Sequence, residues 1–142
     1  MSLNRYSFTR EEKEAIIKII KAYLANIPSI KFAYLHGSFL VNLPCRDIDI
    51  AVYYDPALTP GEQLDLSLTI SAELSFKLKL PVDAHVLNET SPAFAYESIK
   101  GLLIISNDEL ARLDFLENTW INYFDFEPLM RETLFDLLRL ES

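Results

Sequence analysis

The sequence predicts an α/β (α+β) fold in which a small mixed β-sheet is flanked by helices, followed by a C-terminal helical region. Three observations carry this prediction. Apolar residues recur at helical intervals before Pro28 and again between about residues 60 and 80. Short β-prone runs occupy residues 31–38, 47–55 and 82–87. Helical and extended segments therefore alternate along the chain, which is typical of helices packed on a sheet.

The first helix has a clear start and a clear apolar face. Thr9 and Glu12 have capping-box spacing, so each side chain can bond the backbone N–H of the other residue. The apolar positions that recur after this start are Ile16, Ile19, Ile20, Tyr23, Leu24 and Ile27. We therefore expect a helix that begins after Thr9 and ends before Pro28.

Two strands follow this helix. The run KFAYLHGS is β-prone and ends at Gly37-Ser38, and the run DIDIAVYYD alternates strictly. The alternation places Ile48, Ile50 and Val52 on one face and Asp47, Asp49 and Ala51 on the other. The connection between the two strands is short, so we expect them to be antiparallel neighbours.

A second capped helix is predicted after the strands. Thr59 and Glu62 again have capping-box spacing, and Pro60 stands at the first helical position. We expect this helix to run to about Leu80. Its buried stripe is predicted to contain Leu64, Leu68, Ala72 and Phe76, with Leu66 and Ile70 nearby.

The remaining elements are shorter. The run VDAHVL reads as a third strand, a Ser-Pro pair starts a short helix that Gly101 ends, and LLIIS forms a small strand. Asn107 or Asp108 is predicted to cap the long C-terminal helical region, and Pro128 to divide it.

Length and composition predict one domain. The chain has 142 residues, half of them hydrophobic, and no biased tract. We expect a single domain over residues 1–142, with a core at about 9–106 and a C-terminal helical extension at about 107–140. The apolar residues of this extension can serve the core or an interface, so a homo-oligomer or a hetero-oligomer is possible.

Charge and cysteine usage restrict the partners. The net charge is −8, with only 13 basic residues, which makes a long nucleic acid an unlikely partner. No apolar run is long enough to span a bilayer, so no membrane partner is expected. A single cysteine, Cys45, allows no intrachain disulfide and predicts a reducing, cytoplasmic location.

The acidic residues of the second strand indicate a metal site. Asp47 and Asp49 lie two positions apart, which places both carboxylates on one face, with their Cα atoms about 6–7 Å apart. Alternating acids more often only solvate a sheet face. A divalent cation, however, would relieve the repulsion between them, and Asp83 can complete the cluster if its strand pairs beside theirs. Three converging carboxylates suit a two-metal site.

Gly37 and Ser38 favour the metal interpretation over the solvated surface. They end the strand just before the acidic one, where a tight turn can present backbone N–H groups and a hydroxyl to phosphates. A lone Gly-Ser pair is a common turn. A Gly-Ser pair followed by Asp-x-Asp on the next strand, and by a third Asp on a later strand, is far more specific.

These motifs resemble a known family. The stretch FAYLHGSFLVNLPCRDIDIAVYYD, followed by LPVDAHVLNE, is similar to the DNA polymerase beta-like nucleotidyltransferase superfamily. Within it the chain looks most like the minimal nucleotidyltransferase (MNT) antitoxins that pair with HEPN toxins. The resemblance covers essentially the whole chain, including the tail ENTWINYFDFEPLMRETLFDLL. It implies the nucleotidyltransferase fold.

The resemblance also implies a role for each matching residue. Gly37 and Ser38 would hold the nucleotide phosphates. Asp47, Asp49 and Asp83 would be the catalytic residues and the ligands of two Mg²⁺ ions, with Asp83 helping to deprotonate the attacking hydroxyl. The implied reaction transfers AMP from ATP to a tyrosine hydroxyl of a partner HEPN toxin, which makes the chain a protein adenylyltransferase.

The sequence differs from the family pattern at two places. Eight residues separate Ser38 from Asp47, fewer than is usual in the family, and His36 stands where an apolar or aromatic residue is more usual. We interpret His36 and His85 as packing or rim residues.

Two other functions stay open for the chain. They are an antitoxin that acts by binding alone and a small-molecule nucleotidyltransferase of the aminoglycoside type.

Overall fold

The computed structural model describes residues 7–37, Phe39 and residues 47–125. Residues 124 and 125 are described by their backbone alone. Four helices and four strands lie within these residues. In chain order they are α1 (Arg10–Ala25), β1 (Ile30–His36), β2 (Ile48–Tyr54), α2 (Pro60–Leu78), β3 (Val82–Val86), α3 (Pro92–Ile99), β4 (Leu102–Ser106) and α4 (Glu109–Asp125).

The four strands form one mixed sheet in the order β3-β2-β1-β4. β1 pairs antiparallel with β2 on one side and with β4 on the other, while β2 and β3 are parallel. The predicted mixed sheet and the antiparallel β1–β2 pair are both confirmed. β3 is an edge strand, and its position beside β2 brings Asp83 next to the acidic end of β2.

Two layers of helices cover the sheet. One face packs against α1 and α2, and this cluster includes Ile20 and Leu24 of α1 and Leu74 of α2. A smaller cluster on the other face brings Phe94 of α3 and Phe115 of α4 against buried sheet residues. Asp49 and Asp83 belong to this second face, because the intervening positions of their strands fill the larger cluster.

The predicted starts of the helices are confirmed. Thr9 with Glu12, and Thr59 with Glu62, both form complete capping boxes. Ser91 caps α3 by accepting a hydrogen bond from the backbone N–H of Phe94. At the start of α4, the Asp108 carboxylate accepts from the N–H of Ala111 at 3.0 Å.

The predicted buried stripe of α2 is wrong at its four main positions, although Ile70 is fully buried and Leu66 packs against the core. Leu64, Leu68 and Phe76 are 54%, 60% and 87% exposed, and Ala72 is exposed as well. The buried residues of this helix are instead Gln63, Ser67, Ile70 and Leu74. The helix is therefore rotated so that a partly polar stripe faces the protein.

Hydrogen bonds explain this rotation. β3 is an edge strand, so alternate backbone N–H groups along it point away from β2 and need other acceptors. Ser71 Oγ accepts from the N–H of Ala84 at 2.8 Å, and Ser75 Oγ accepts from the N–H of Val82 at 2.9 Å. A stripe that carries serines at four-residue spacing satisfies this edge, which leucines at the same positions could not do.

Among the described residues, no helix has both the length and the apolar character needed to cross a membrane. The predicted break at Pro128 and the rest of the C-terminal helical region lie outside the described residues.

Candidate nucleotidyltransferase site

Two carboxylates meet where β2 and β3 run side by side. Asp49 of β2 and Asp83 of β3 are paired in the register of these parallel strands. Paired residues of neighbouring strands extend from the same face of a sheet, so both carboxylates point to the same side. The Asp49 side chain is 28% exposed and that of Asp83 is 60% exposed. The pair therefore lies at the rim of the sheet, open to solvent.

His85 joins the two carboxylates. Its Nε2 lies 3.4 Å from Asp49 Oδ1 and 3.7 Å from Asp83 Oδ2. One ligand atom from each of these three residues lies within 4.8 Å of the others, an arrangement that could hold a metal ion. The three residues thus form a compact group of two oxygen donors and one nitrogen donor, hereafter the Asp-Asp-His cluster.

Neighbouring rings fix the position of the His85 imidazole. The Phe94 ring of α3 packs edge-on against it at 5.4 Å, and the His36 ring lies 6.2 Å away. Phe94 also packs edge-on against His36, at 5.5 Å. Because Phe94 supports both rings, the His85 Nε2 is held towards the carboxylates.

The two acids of the cluster favour the protonated form of the His85 ring. The hydrogen bond to Asp49 raises the pKa of His85, with a further rise from the charge of Asp83, and burial opposes both effects. Burial lowers the pKa of His36, against the opposing attraction of Asp49. The acidic pair thus favours a proton on His85, the ring that lies in contact with it.

Gly37 brings the backbone of β1 against Asp49. Its φ is +92°, a value that residues with a side chain rarely adopt. A Cβ at this position would lie 2.9 Å from Asp49 Oδ2. Glycine therefore lets the β1 backbone pack closely against the carboxylate, in a space that a side chain at this position would need.

Helix α2 holds the strand that carries Asp83. The hydrogen bonds from Val82 to Ser75 and from Ala84 to Ser71 fall on the two residues that flank Asp83. The backbone on either side of the carboxylate is thus attached to a helix, while the pairing with β2 holds it from the other side. Such support on a regular element is what a preorganised site requires.

The structure brings together only part of the predicted site. Gly37, Asp49 and Asp83 lie side by side. Asp47 is exposed, just before β2 begins, and its carboxylate is not part of the Asp-Asp-His cluster. Ser38 lies outside the described residues.

His85 was not predicted to belong to the site. Its predicted role was packing or the rim, whereas the structure places its Nε2 beside both carboxylates. The available signal was its spacing: a residue two positions after Asp83 on a strand extends from the same face.

The donors present fit a divalent cation. Carboxylate oxygens are the ligands that Mg²⁺ and Mn²⁺ prefer, and two of them from separate strands converge here. The close approach of Gly37 to Asp49 places the end of β1 beside them. Fold and site together define an α/β protein with a candidate cation site at the rim of its sheet.

Comparisons with known proteins agree with this definition. The profile of the family described as Polymerase beta, Nucleotidyltransferase matches residues 18–110, more than half of the chain. The chain belongs to this nucleotidyltransferase family. None of the curated proteins matches it.

Several solved structures share the fold. A chain of the complex between a tri-AMPylated HEPN toxin from Shewanella oneidensis and an MNT antitoxin is 22% identical, with a TM-score of 0.61. The match covers 89% of this chain and 98% of that one. A toxin–antitoxin structure with AMP-PNP is 23% identical, with a TM-score of 0.62 and coverages of 87% and 98%. A chain of the toxin–antitoxin MntA-HepT is 21% identical, with a TM-score of 0.61 and coverages of 88% and 98%.

Proposed function

We propose that this chain is an antitoxin that transfers AMP from ATP to a tyrosine hydroxyl of a partner HEPN toxin. The observation that carries this proposal is the in-register pair of Asp49 and Asp83, closely approached by the backbone of Gly37, in a member of the nucleotidyltransferase family. The acceptor and the nucleotide are suggested by the structural neighbours, which include an AMPylated HEPN toxin bound to an MNT antitoxin and a complex with AMP-PNP.

The metal in this proposal is Mg²⁺, as two ions. Asp49 and Asp83 would hold it, with Asp47 adding a third carboxylate from the residue before β2. Bound cations would neutralise charge on the phosphates and on the leaving pyrophosphate. The protein supplies the rigid placement of the carboxylates through β2, β3 and the serines of α2.

The proposed reaction is an in-line displacement at the α-phosphorus of ATP. The tyrosine oxygen forms a bond to that phosphorus while the bond to the β-phosphate oxygen breaks, and pyrophosphate leaves. The phenolic proton passes to a carboxylate, for which Asp83 is the candidate because it is the most exposed member of the cluster. The gain in rate comes chiefly from positioning and from charge neutralisation.

The cluster lies at the open rim of the sheet, and Asp83 is 60% exposed. An acceptor carried on a folded protein can reach such a rim by docking, which favours a protein substrate. We place this reaction in the cytoplasm, where the single cysteine would stay reduced.

A direct test measures the mass of the acceptor. The purified chain is mixed with a co-expressed HEPN toxin, ATP and Mg²⁺, and the intact toxin is weighed by mass spectrometry. We expect the toxin to gain one or more AMP units, at tyrosine residues located by peptide sequencing. An unchanged toxin mass, with ATP and cation binding intact, would contradict the proposal.

The same experiment separates catalysis from binding. The double variant Asp49→Asn, Asp83→Asn keeps the shape of the side chains but removes both charges. If it still neutralises the toxin as fully as the native chain, the antitoxin acts by binding alone. If neutralisation and AMP transfer are lost together while the complex still forms, transfer is the mechanism.

A further inference from the structure

We infer that His85 is a nitrogen ligand of the cation site, and that the site therefore binds Mn²⁺ and Co²⁺ more tightly than the Mg²⁺ of the proposed function. This inference deepens the proposed function, since it concerns the metal at the same site. Its evidence is the position of Nε2 beside one oxygen of each carboxylate, at 3.4 Å from Asp49 and 3.7 Å from Asp83.

The placement of the ring is suited to ligation. His85 is two residues from Asp83 on a regular strand, so the two side chains share a face of the sheet. Phe94 packs against the ring and keeps Nε2 directed at the carboxylates. The three donor atoms already lie within 4.8 Å of one another, so a cation would draw them together with small side-chain movements.

The donor set determines the selectivity. Mg²⁺ prefers oxygen ligands and retains several waters, so an imidazole adds little to its binding. Imidazole nitrogen suits transition metals, and affinity for a site with nitrogen donors rises from Mn²⁺ to Co²⁺. A site with two carboxylates and one histidine therefore gains affinity for these ions and not for Mg²⁺.

The competing role of His85 is that of a counter-charge. In that role the protonated ring offsets part of the charge of Asp49 and Asp83 when no cation is present, and it moves away when a cation binds. The two roles make opposite predictions for the bound state, because a ligand remains in contact with the metal and a counter-charge does not.

Pulsed electron paramagnetic resonance on the Mn²⁺-loaded chain, without nucleotide, distinguishes the two roles. We expect modulation from a directly bound histidine nitrogen, which should change to the ¹⁵N pattern when the chain is labelled with ¹⁵N-histidine. The labelling test uses the native chain and does not depend on the folding of a variant. Absence of nitrogen coupling would overturn the inference.

Variants then show which histidine supplies the bound nitrogen, since the chain has two histidines. His85→Gln should abolish the coupling, and the control His36→Gln should retain it, because His36 is not in the Asp-Asp-His cluster. Coupling that survives in His85→Gln would overturn the assignment. Circular dichroism confirms that each variant is folded.

Selectivity is measured by competition. Mn²⁺ is titrated into the chain with Mg²⁺ as competitor, and free Mn²⁺ is followed by its electron paramagnetic resonance signal. We expect His85→Gln to reduce the preference for Mn²⁺ over Mg²⁺ by at least ~10-fold. Replacing residues that support the ligands of other protein metal sites lowers metal affinity by a comparable factor. An unchanged preference would contradict the inference. Failure of AMP transfer would contradict the proposed function alone, because none of these measurements contains nucleotide or toxin.

Discussion

The backbone N–H of Ala84 donates to Ser71 Oγ at 2.8 Å, and this bond joins the edge of the sheet to helix α2. The Ser75 hydroxyl makes the matching bond to Val82. Asp83 lies between these two attachment points, so the position of a proposed catalytic carboxylate depends on side chains of a helix that does not itself reach the site.

Replacing Ser71 by alanine should destabilise the protein. Ala84 would lose the acceptor of a partly buried N–H, which costs about 1–3 kcal/mol. Equilibrium unfolding in urea measures the change in the free energy of unfolding. Thr69→Ala is the control, since Thr69 is exposed on the same helix and its replacement should change stability by less than about 0.5 kcal/mol. Equal effects of the two substitutions would contradict the proposed support of β3.

The conformation of Gly37 predicts a cost for any side chain there. Gly37→Ala combines a φ of +92° with a Cβ only 2.9 Å from Asp49 Oδ2. We expect a loss of about 1–3 kcal/mol in the free energy of unfolding, together with weaker binding of cation and nucleotide.

Gly61→Ala is the matched control for this substitution. Gly61 lies in the first turn of α2, and its new Cβ would meet Thr59 Oγ1 at an unstrained 3.9 Å. Stability should rise by about 0.4–1 kcal/mol, since the unfolded chain loses freedom. Thermal unfolding of both variants provides the comparison, and a stabilising Gly37→Ala would show that the space beside Asp49 is not restricted.

The charges of Asp49 and Asp83 should matter for chemistry and not for folding. Asp49→Asn or Asp83→Asn should each lower the rate of AMP transfer by at least ~10²-fold, as expected when electrostatic stabilisation of a transition state is removed. Single-turnover transfer at saturating ATP is the measurement. Asp65→Asn, an exposed acid on α2, controls for general loss of negative charge and should keep the native rate. A normal rate in both site variants would place the reaction elsewhere.

The orientation of α2 predicts which of its leucines are needed for stability. Leu74→Ala should cost about 2–5 kcal/mol, because Leu74 is fully buried in the main core. Leu68→Ala should change the free energy of unfolding by less than about 0.5 kcal/mol, since this side chain is 60% exposed. Urea unfolding of the two variants tests the orientation, and the reverse order of effects would support the face expected from the sequence.

The elements governed by local patterns were predictable from the sequence. Capping boxes at Thr9 and Thr59 depend on residues three positions apart, and the alternation in β2 depends on the two-residue period of a strand. The face of β2 on which Asp49 lies, and the extended conformation of the segment around Asp83, follow from the same short-range rules. Such features are encoded within a few residues and do not require knowledge of the packing.

Tertiary structure decided the features that depend on how distant elements meet. The residues of α2 allow two faces to be buried, and the unpaired N–H groups of the β3 edge selected the serine-bearing face over Leu64, Leu68 and Phe76. His85 entered the cluster because β3 pairs with β2 in the register that sets Asp83 opposite Asp49. Periodicity within a segment defines its possible faces, but the hydrogen bonds and register between segments determine which face is used.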